Sequence, residues 1–254
     1  MKTLRNLITQ YPLASFFILA YTLSWWSVPL TGGQIIPHGP AIAGLILFAL
    51  SEGRAGFARL WQQRTQWQVT WRWLLIAPGI LIALHFGALL LNLSLGAAIV
   101  LPVSMMLPLL IELIVVGGAW EEPGWSGYAL PRLQARFARQ PYGLLIASLV
   151  MGVFRAIWHL PLALYGFIPW IDVLIFSIAF QFIISWLYNR SQGSVVVTML
   201  FHLTNNIVFG VIMSALFTGS DHRRYYLIFV GLACLTAVFL ARPKMGSRKL
   251  AEVV

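Results

Sequence analysis

The stretch "VVGGAWEEPGWSGYALP", residues 115–131, decides how this chain is read. Two adjacent carboxylates, Glu121 and Glu122, follow an apolar run in a chain of 254 residues with only 7 acidic ones. If the surrounding helix starts at Pro108, a natural first-turn residue, Glu121 lies about 20 Å along it at ~1.5 Å per residue. That depth is inside a bilayer rather than in a loop. Pro123 lacks an N–H and crowds the preceding turn, so it disturbs the backbone just after the acids. Gly117, Gly118, Gly124 and Gly127 allow close packing or local unwinding, and Pro131 closes the segment. Broken helices of this kind are tolerated in membranes where they are buried in protein or line a wet cavity.

The rest of the chain supports a membrane setting. It is 59% hydrophobic, 14% aromatic and 9% charged, whereas an ordinary soluble domain is about 25% charged. Several apolar runs approach or exceed the roughly 20 residues that span a bilayer. About eight spans are expected, over 11–30, 35–51, 72–94, 108–130, 142–163, 167–189, 194–217 and 225–241. The apolar region 97–107 is interrupted by Pro102, with Pro108 at its far edge. The expected fold is an all-α, polytopic transmembrane helical bundle, a single domain over 1–254 with its motif core at about 108–217. Residues 11–30 have span length and no cleavage site follows them, so no cleavable signal peptide is expected. The single cysteine, Cys234, excludes an internal disulfide and a metal–thiolate motif.

The formal charge of +10 lies in short loops. It reads as topology signals and contacts to the lipid bilayer rather than as a nucleic-acid surface. Lys2 and Arg5 precede span one, and Arg54, Arg59, Arg64 and Arg72 follow span two. Arg132, Arg136 and Arg139 follow span four, Arg190 follows span six, and Arg242, Lys244, Arg248 and Lys249 end the chain. All fall on one side, which predicts a multi-pass protein with both termini cytoplasmic. Arg223 and Arg224 dissent, partly offset by Asp221. The stretch "RLQARFARQ", 132–140, is basic and amphipathic and is expected along the inner surface.

A charge at mid-bilayer costs at least about 2.5–3.5 kcal/mol on insertion scales, so the acids need partners. Span five ends "VFRAIWHLPLAL", with Arg155 and His159 four residues apart on one helical face. Span seven reads "VVVTMLFHLTNNIVFG", with His202 and Asn206 again four apart and about 12–18 Å beyond Ser194. One intramembrane histidine usually bonds helix to helix. Here His159, His202 and Asn206 join two acids from three spans at similar depth. A carboxylate can take a proton from water, and histidine and asparagine can donate to a developing oxyanion. His85 is alone in span three and is expected only to pack; His38 and His222 read as loop residues. Histidine and glutamate also admit a metal, although asparagine is an uncommon zinc ligand and no HExxH occurs.

These residues resemble the CPBP family, the CAAX protease and bacteriocin-processing group of intramembrane proteases that includes Rce1-like prenyl proteases. Its motifs are EExxxR, FxxxH and HxxxN, each on a membrane helix. Glu121-Glu122 matches the first, His159 in "WHLPL" the second, and His202 with Asn206 the third, over about 115–210. Two positions depart: Ser126 stands where the motif has arginine, and Arg155 where it has phenylalanine, with Phe154 one residue early. The resemblance implies a conical intramembrane cavity and an endopeptidase in which a glutamate activates water while the histidines and Asn206 complete the site. It implies a membrane-associated peptide substrate, prenylated or not, and leaves open a zinc held by Glu121, His159 and His202.

The expected base is Glu121, with Glu122 paired beside it and His159, His202 and Asn206 holding water and oxyanion. A non-catalytic scaffold or immunity protein and a proton-coupled transporter are the rival classes, the latter disfavoured because no inverted repeat is found. With only a hydroxyl at Ser126, Arg155 is expected to supply the cation for Glu122, since a buried acid and a buried guanidinium relieve each other. A pair between Arg155 and Asp172 is the competing arrangement.

Overall fold

The computed structural model describes residues 2–56, 58, 71–100, 110, 111, 113, 114 and 117–242. The apolar runs are helices. Among the described residues, 4 are long and apolar enough to cross a membrane: Pro12–Thr31, Trp71–Ser94, Asp172–Arg190 and Gly219–Leu240. Shorter apolar helices cover Gly39–Glu52, Gly143–Trp158 and Val195–Gly210, and no strand occurs among the described residues. The protein is an all-α helical membrane bundle. Pro102, Pro108, Arg59, Arg64, Lys244, Arg248 and Lys249, used above for boundaries and orientation, lie outside the described residues.

The acid-bearing span differs from its expected form. Gly117 is extended, at φ −69 and ψ 165, so no helix runs unbroken from 108 to 130. A new helical segment starts at Gly118 and changes type three times: a 3-10 turn at Gly118–Glu121, an α turn at Glu122–Gly124 and a π turn at Trp125–Ala129. It then continues as α-helix at Leu130–Phe137. Glu121 therefore stands in the first turns of a helix rather than deep along one. Pro123 falls at the start of its α turn, where its missing N–H is harmless. Pro131 does not close the segment. It sits at the start of Leu130–Phe137, just after the π turn, where the ladder is already widened.

Two other boundaries move. The helix Gly143–Trp158 ends at His159, which caps it, and a short helix Leu160–Leu164 follows with Pro161 in its first turn. The last helix begins at Gly219, so His222, Arg223 and Arg224 are helical rather than in a loop. Arg224 pairs with Asp221 at 3.1 Å and donates from Nε to Asn92 Oδ1 at 2.8 Å, which neutralises the dissenting charge locally.

Among the described residues the interior holds two large apolar clusters and a small third one of Ala156, Ala163 and Val173. One large cluster joins Phe16, Phe17, Leu47, Phe48, Trp125, Tyr128, Met151 and Trp158. The other large one joins Leu81, Phe180, Ile183, Ile184, Val197, Phe201, Tyr225 and Phe229. Pro12–Trp25 packs on Gly39–Glu52, Gly143–Trp158 on Ser177–Arg190, and Gly219–Leu240 on Trp71–Ser94. The acid segment touches Gly39–Glu52 on one side and Val195–Asn205 on the other. Gly124 makes the first contact possible, because a Cβ there would collide with the carbonyl of Pro40. The seam between the clusters is where the polar residues meet.

Candidate active site at the seam of two clusters

Glu121 and Glu122 are adjacent in sequence but differently placed. Glu122 is fully buried, and both of its oxygens are engaged. Its Oε1 lies 2.8 Å from Arg155 Nη1 and accepts from His202 Nδ1 at 2.9 Å. Its Oε2 accepts from Ser126 Oγ, one helical turn further on. Glu121, 4% exposed, accepts at Oε2 from Trp125 Nε1 at 3.0 Å, with Arg155 Nη1 3.8 Å away. Among the described residues its Oε1 has no hydrogen-bond partner.

Arg155 is 1% exposed and points between the acids. Its Nε donates to Gln181 Oε1 at 3.1 Å, and Gln181 Nε2 donates in turn to Ser185 Oγ at 3.0 Å. The indole of Trp125 lies 5.7 Å from the guanidinium carbon. Asp172 is engaged elsewhere: it accepts from the Tyr226 hydroxyl at 2.5 Å, so the competing Arg155–Asp172 pair does not form.

His202 is 7% exposed and its ring meets Phe180 edge-on at 5.2 Å. Since the Glu122 oxygen can only accept, Nδ1 carries the proton of that bond. Nε2 then faces Gly118, where an added Cβ would collide with it and meet Glu121 Oε1 at 2.8 Å. Gly118 thus leaves a space bordered by the free oxygen of Glu121 and the free nitrogen of His202. Asn206 begins the π turn Asn206–Met213. Its Nδ2 would stand 3.2 Å from a Cβ on the neighbouring Gly117, and its amide makes no hydrogen bond among the described residues. Two glycines in sequence keep this floor free of side chains.

His159 is half-buried and stands apart from the acids. Its Nδ1 meets the Arg155 carbonyl at 3.0 Å, and Trp158 lies edge-on at 4.9 Å. It is within electrostatic range of Arg155 and His202. Among the described residues it forms no hydrogen bond or ion pair with either glutamate. Glu121, Glu122, Arg155 and His202 are thus in direct contact as a group, with Asn206 and His159 at its margin.

The zinc set does not fit this arrangement. Among the described residues, no three His, Cys, Asp or Glu side chains are grouped to hold a metal ion. A guanidinium already stands against both carboxylates, and a dication there would be repelled by it. His85 is also more engaged than packing alone requires: it is fully buried, meets the Tyr225 hydroxyl at 2.6 Å and stacks on Phe229 at 4.0 Å.

Three contributors escaped the sequence reading: Trp125, Ser126 as a donor, and Gln181. Trp125 and Ser126 stand four residues after Glu121 and Glu122, the spacing of one helical turn. Gln181 lies inside an apolar span, where the cost argument applied to the acids marks it too.

An acid pair, a guanidinium and imidazoles enclosed by apolar helices define a membrane protein with a buried reactive polar centre. Comparisons with known proteins show what its central segment is similar to. The family model for type II CAAX prenyl endopeptidases, Rce1-like, matches residues 102–208, a segment holding every residue of the site. Within that segment the resemblance to the CPBP group, Rce1-like branch, holds. Over 110 residues the chain is 29% identical to the CAAX prenyl protease 2 of Methanococcus maripaludis. The match covers 37% of this chain and 37% of that relative, so the chain spans well under half the length of the curated relative it matches.

Proposed function

We propose that this protein is an intramembrane endopeptidase in which Glu121 is the general base. The observation that carries the reading is the asymmetry of the two carboxylates. Glu122 is saturated by Arg155, His202 and Ser126, whereas Glu121 keeps one oxygen turned toward the space over Gly118. A water in that space gives its proton to Glu121 and attacks the substrate carbonyl carbon. The carbonyl oxygen becomes an oxyanion to which Asn206 Nδ2 donates a hydrogen bond. The unprotonated Nε2 of His202 accepts from the water and holds it beside Glu121. His159, its Nδ1 bonded to the Arg155 carbonyl, stands at the margin. Glu121 then passes the proton to the departing amine, the C–N bond breaks, and the site is restored.

Apolar helices around the site hold these groups out of bulk water, which strengthens each electrostatic contact. The substrate is a membrane-associated peptide, and the prenyl protease name of the relative makes a prenylated C-terminal peptide the first candidate. Both termini face the cytoplasm, and the site opens toward that side, where the basic loops contact anionic lipid. No step is routed through a metal.

The test is cleavage by the purified full chain in detergent micelles of a farnesylated CAAX peptide, its unfarnesylated twin and a membrane-anchored peptide, with and without a chelator. Cleavage of at least one, unchanged by chelation, is the expected result. Activity lost to the chelator and restored by zinc would replace the glutamate mechanism. No cleavage of any of them by folded protein would favour a non-catalytic role.

A further inference from the structure

Arg155 is the costliest side chain in the site, and its position shows what it does there. A guanidinium almost wholly removed from water costs several kcal/mol before any pairing. Among the described residues its ion-pair partners are the acid pair, 2.8 Å away at Glu122 and 3.8 Å away at Glu121. Its Nε is anchored by Gln181, itself anchored by Ser185, so the head group is held from the far side. Gly152, one turn earlier on the same helix, lets that helix approach the Gln181 helix closely, with an added Cβ 3.1 Å from the Ile178 Cα. The polar chain therefore runs Ser185, Gln181, Arg155, Glu122, His202, and crosses from one helix pair to the acid segment and on to a fourth helix.

We infer that Arg155 is the positioning residue of this site: it holds Glu122 as a charged anchor, and Glu122 in turn fixes the orientation and proton position of His202. The inference rests on the proposed proteolytic reading only for its effect on rate; its effect on His202 is independent of substrate. Glu122 Oε1 serves Arg155 and His202 at once. Without the cation, Glu122 is an uncompensated buried charge that must take up a proton or turn to another donor. A proton on Oε1, the oxygen that loses Arg155, or a turn of the carboxyl removes the acceptor for His202 Nδ1–H, and Nε2 no longer faces Glu121 across Gly118. Arg155 touches neither the water space nor the substrate in this scheme, so it is not a catalytic residue. Ser126 stands one turn after Glu122 and already reaches its Oε2. An arginine at that position could carry the same charge to the same carboxylate from the acids' own helix.

The experiment compares wild type, Arg155→Met, Arg155→Met combined with Ser126→Arg, and the remote control Arg132→Met, which removes an ion pair to Glu52 at the basic end of the acid segment. Each full chain is purified in micelles with 15N-labelled histidine, and the His202 signals are assigned from a His202→Gln spectrum. Wild type and the control should show the Nδ1–H tautomer at His202. Arg155→Met should lose it, and kcat on the farnesylated peptide should fall about 10²-fold, as for misplaced catalytic groups, with KM little changed. The added Ser126→Arg should restore the tautomer signal and part of kcat. Should Arg155→Met alone not fold, the combined variant carries the test, because it returns the charge and leaves the packing altered.

Loss of the signal in the folded combined variant would overturn the inference, as would an unchanged signal in Arg155→Met. If wild type cleaves no peptide, the proteolytic reading fails by itself while the tautomer readout still decides the role of Arg155.

Discussion

Two buried histidines sit on helices that pack against each other, Trp71–Ser94 and Val195–Asn205, and they have different surroundings. His85 is closed on every side the structure describes: Tyr225 hydroxyl at Nδ1, Phe229 stacked on its face, apolar neighbours around it. His202 is bonded at Nδ1 to Glu122, next to Arg155, yet its Nε2 faces a gap left by a glycine. Each ring is bonded inside the protein at Nδ1. The difference lies in what remains free. At His85, Nδ1 links Trp71–Ser94 to Gly219–Leu240, and the unpaired Nε2 is shut in among packed side chains with no acid facing it among the described residues. Around His202, two unengaged atoms on different helices border one space, which is what a reaction needs and what a structural link does not.

The same contrast separates Glu122 from Glu121. Removing a fully engaged residue should be felt in folding, and removing a partly free one in rate. The largest expected effect is therefore on stability, from Glu122→Ala. It leaves Arg155 buried with only the more distant Glu121, at 3.8 Å, as counter-charge and should cost about 3–5 kcal/mol, read as a lowered unfolding midpoint in detergent. Retention of wild-type stability would mean that Arg155 is hydrated and the anchor is not one. Next comes His202→Ala, which should lower kcat by about 10²–10⁴-fold, the range for a group that assists proton movement at the reacting water, while the folded yield stays near that of wild type. Gly118→Ala should follow with a loss of about 10²-fold in kcat, because a methyl group fills the space between Glu121 and His202. An active Gly118→Ala enzyme would move the water elsewhere. The smallest effect on function belongs to His85→Phe. It should leave kcat unchanged and cost about 1–3 kcal/mol in stability through the orphaned Tyr225 hydroxyl, and a collapse of activity there would erase the contrast between the two histidines.

Much of this was legible in the chain because lipid imposes a strict rule on polar groups. The apolar runs gave the helices, and the price of intramembrane charge picked out Glu121, Glu122, Arg155 and His202 from three separate spans. Local backbone was less legible. Pro108, Pro123 and Pro131 suggested one helix with a disturbance and a stop, but the break is at Gly117, and Pro123 and Pro131 occupy helix starts. A proline at a helix start and one inside a helix look alike without the neighbouring hydrogen bonds. The fit of Gly124 against Pro40 was invisible for another reason: it pairs positions far apart in sequence, and nothing in either stretch announces the other. Gln181 was legible and overlooked, since one amide in an apolar span draws less notice than a charge.

The account stands most directly on Glu121, the acid with a free oxygen. The deciding measurement is the cleavage rate of the farnesylated CAAX peptide by purified Glu121→Gln, set against wild type at matched folded concentration and matched thermal stability. Glutamine keeps the shape and an acceptor for Trp125 Nε1 but cannot take a proton from water, so cleavage should fall to the uncatalysed background. If Glu121→Gln cleaves at a rate close to that of wild type, Glu121 is not the base and the proposed mechanism is wrong.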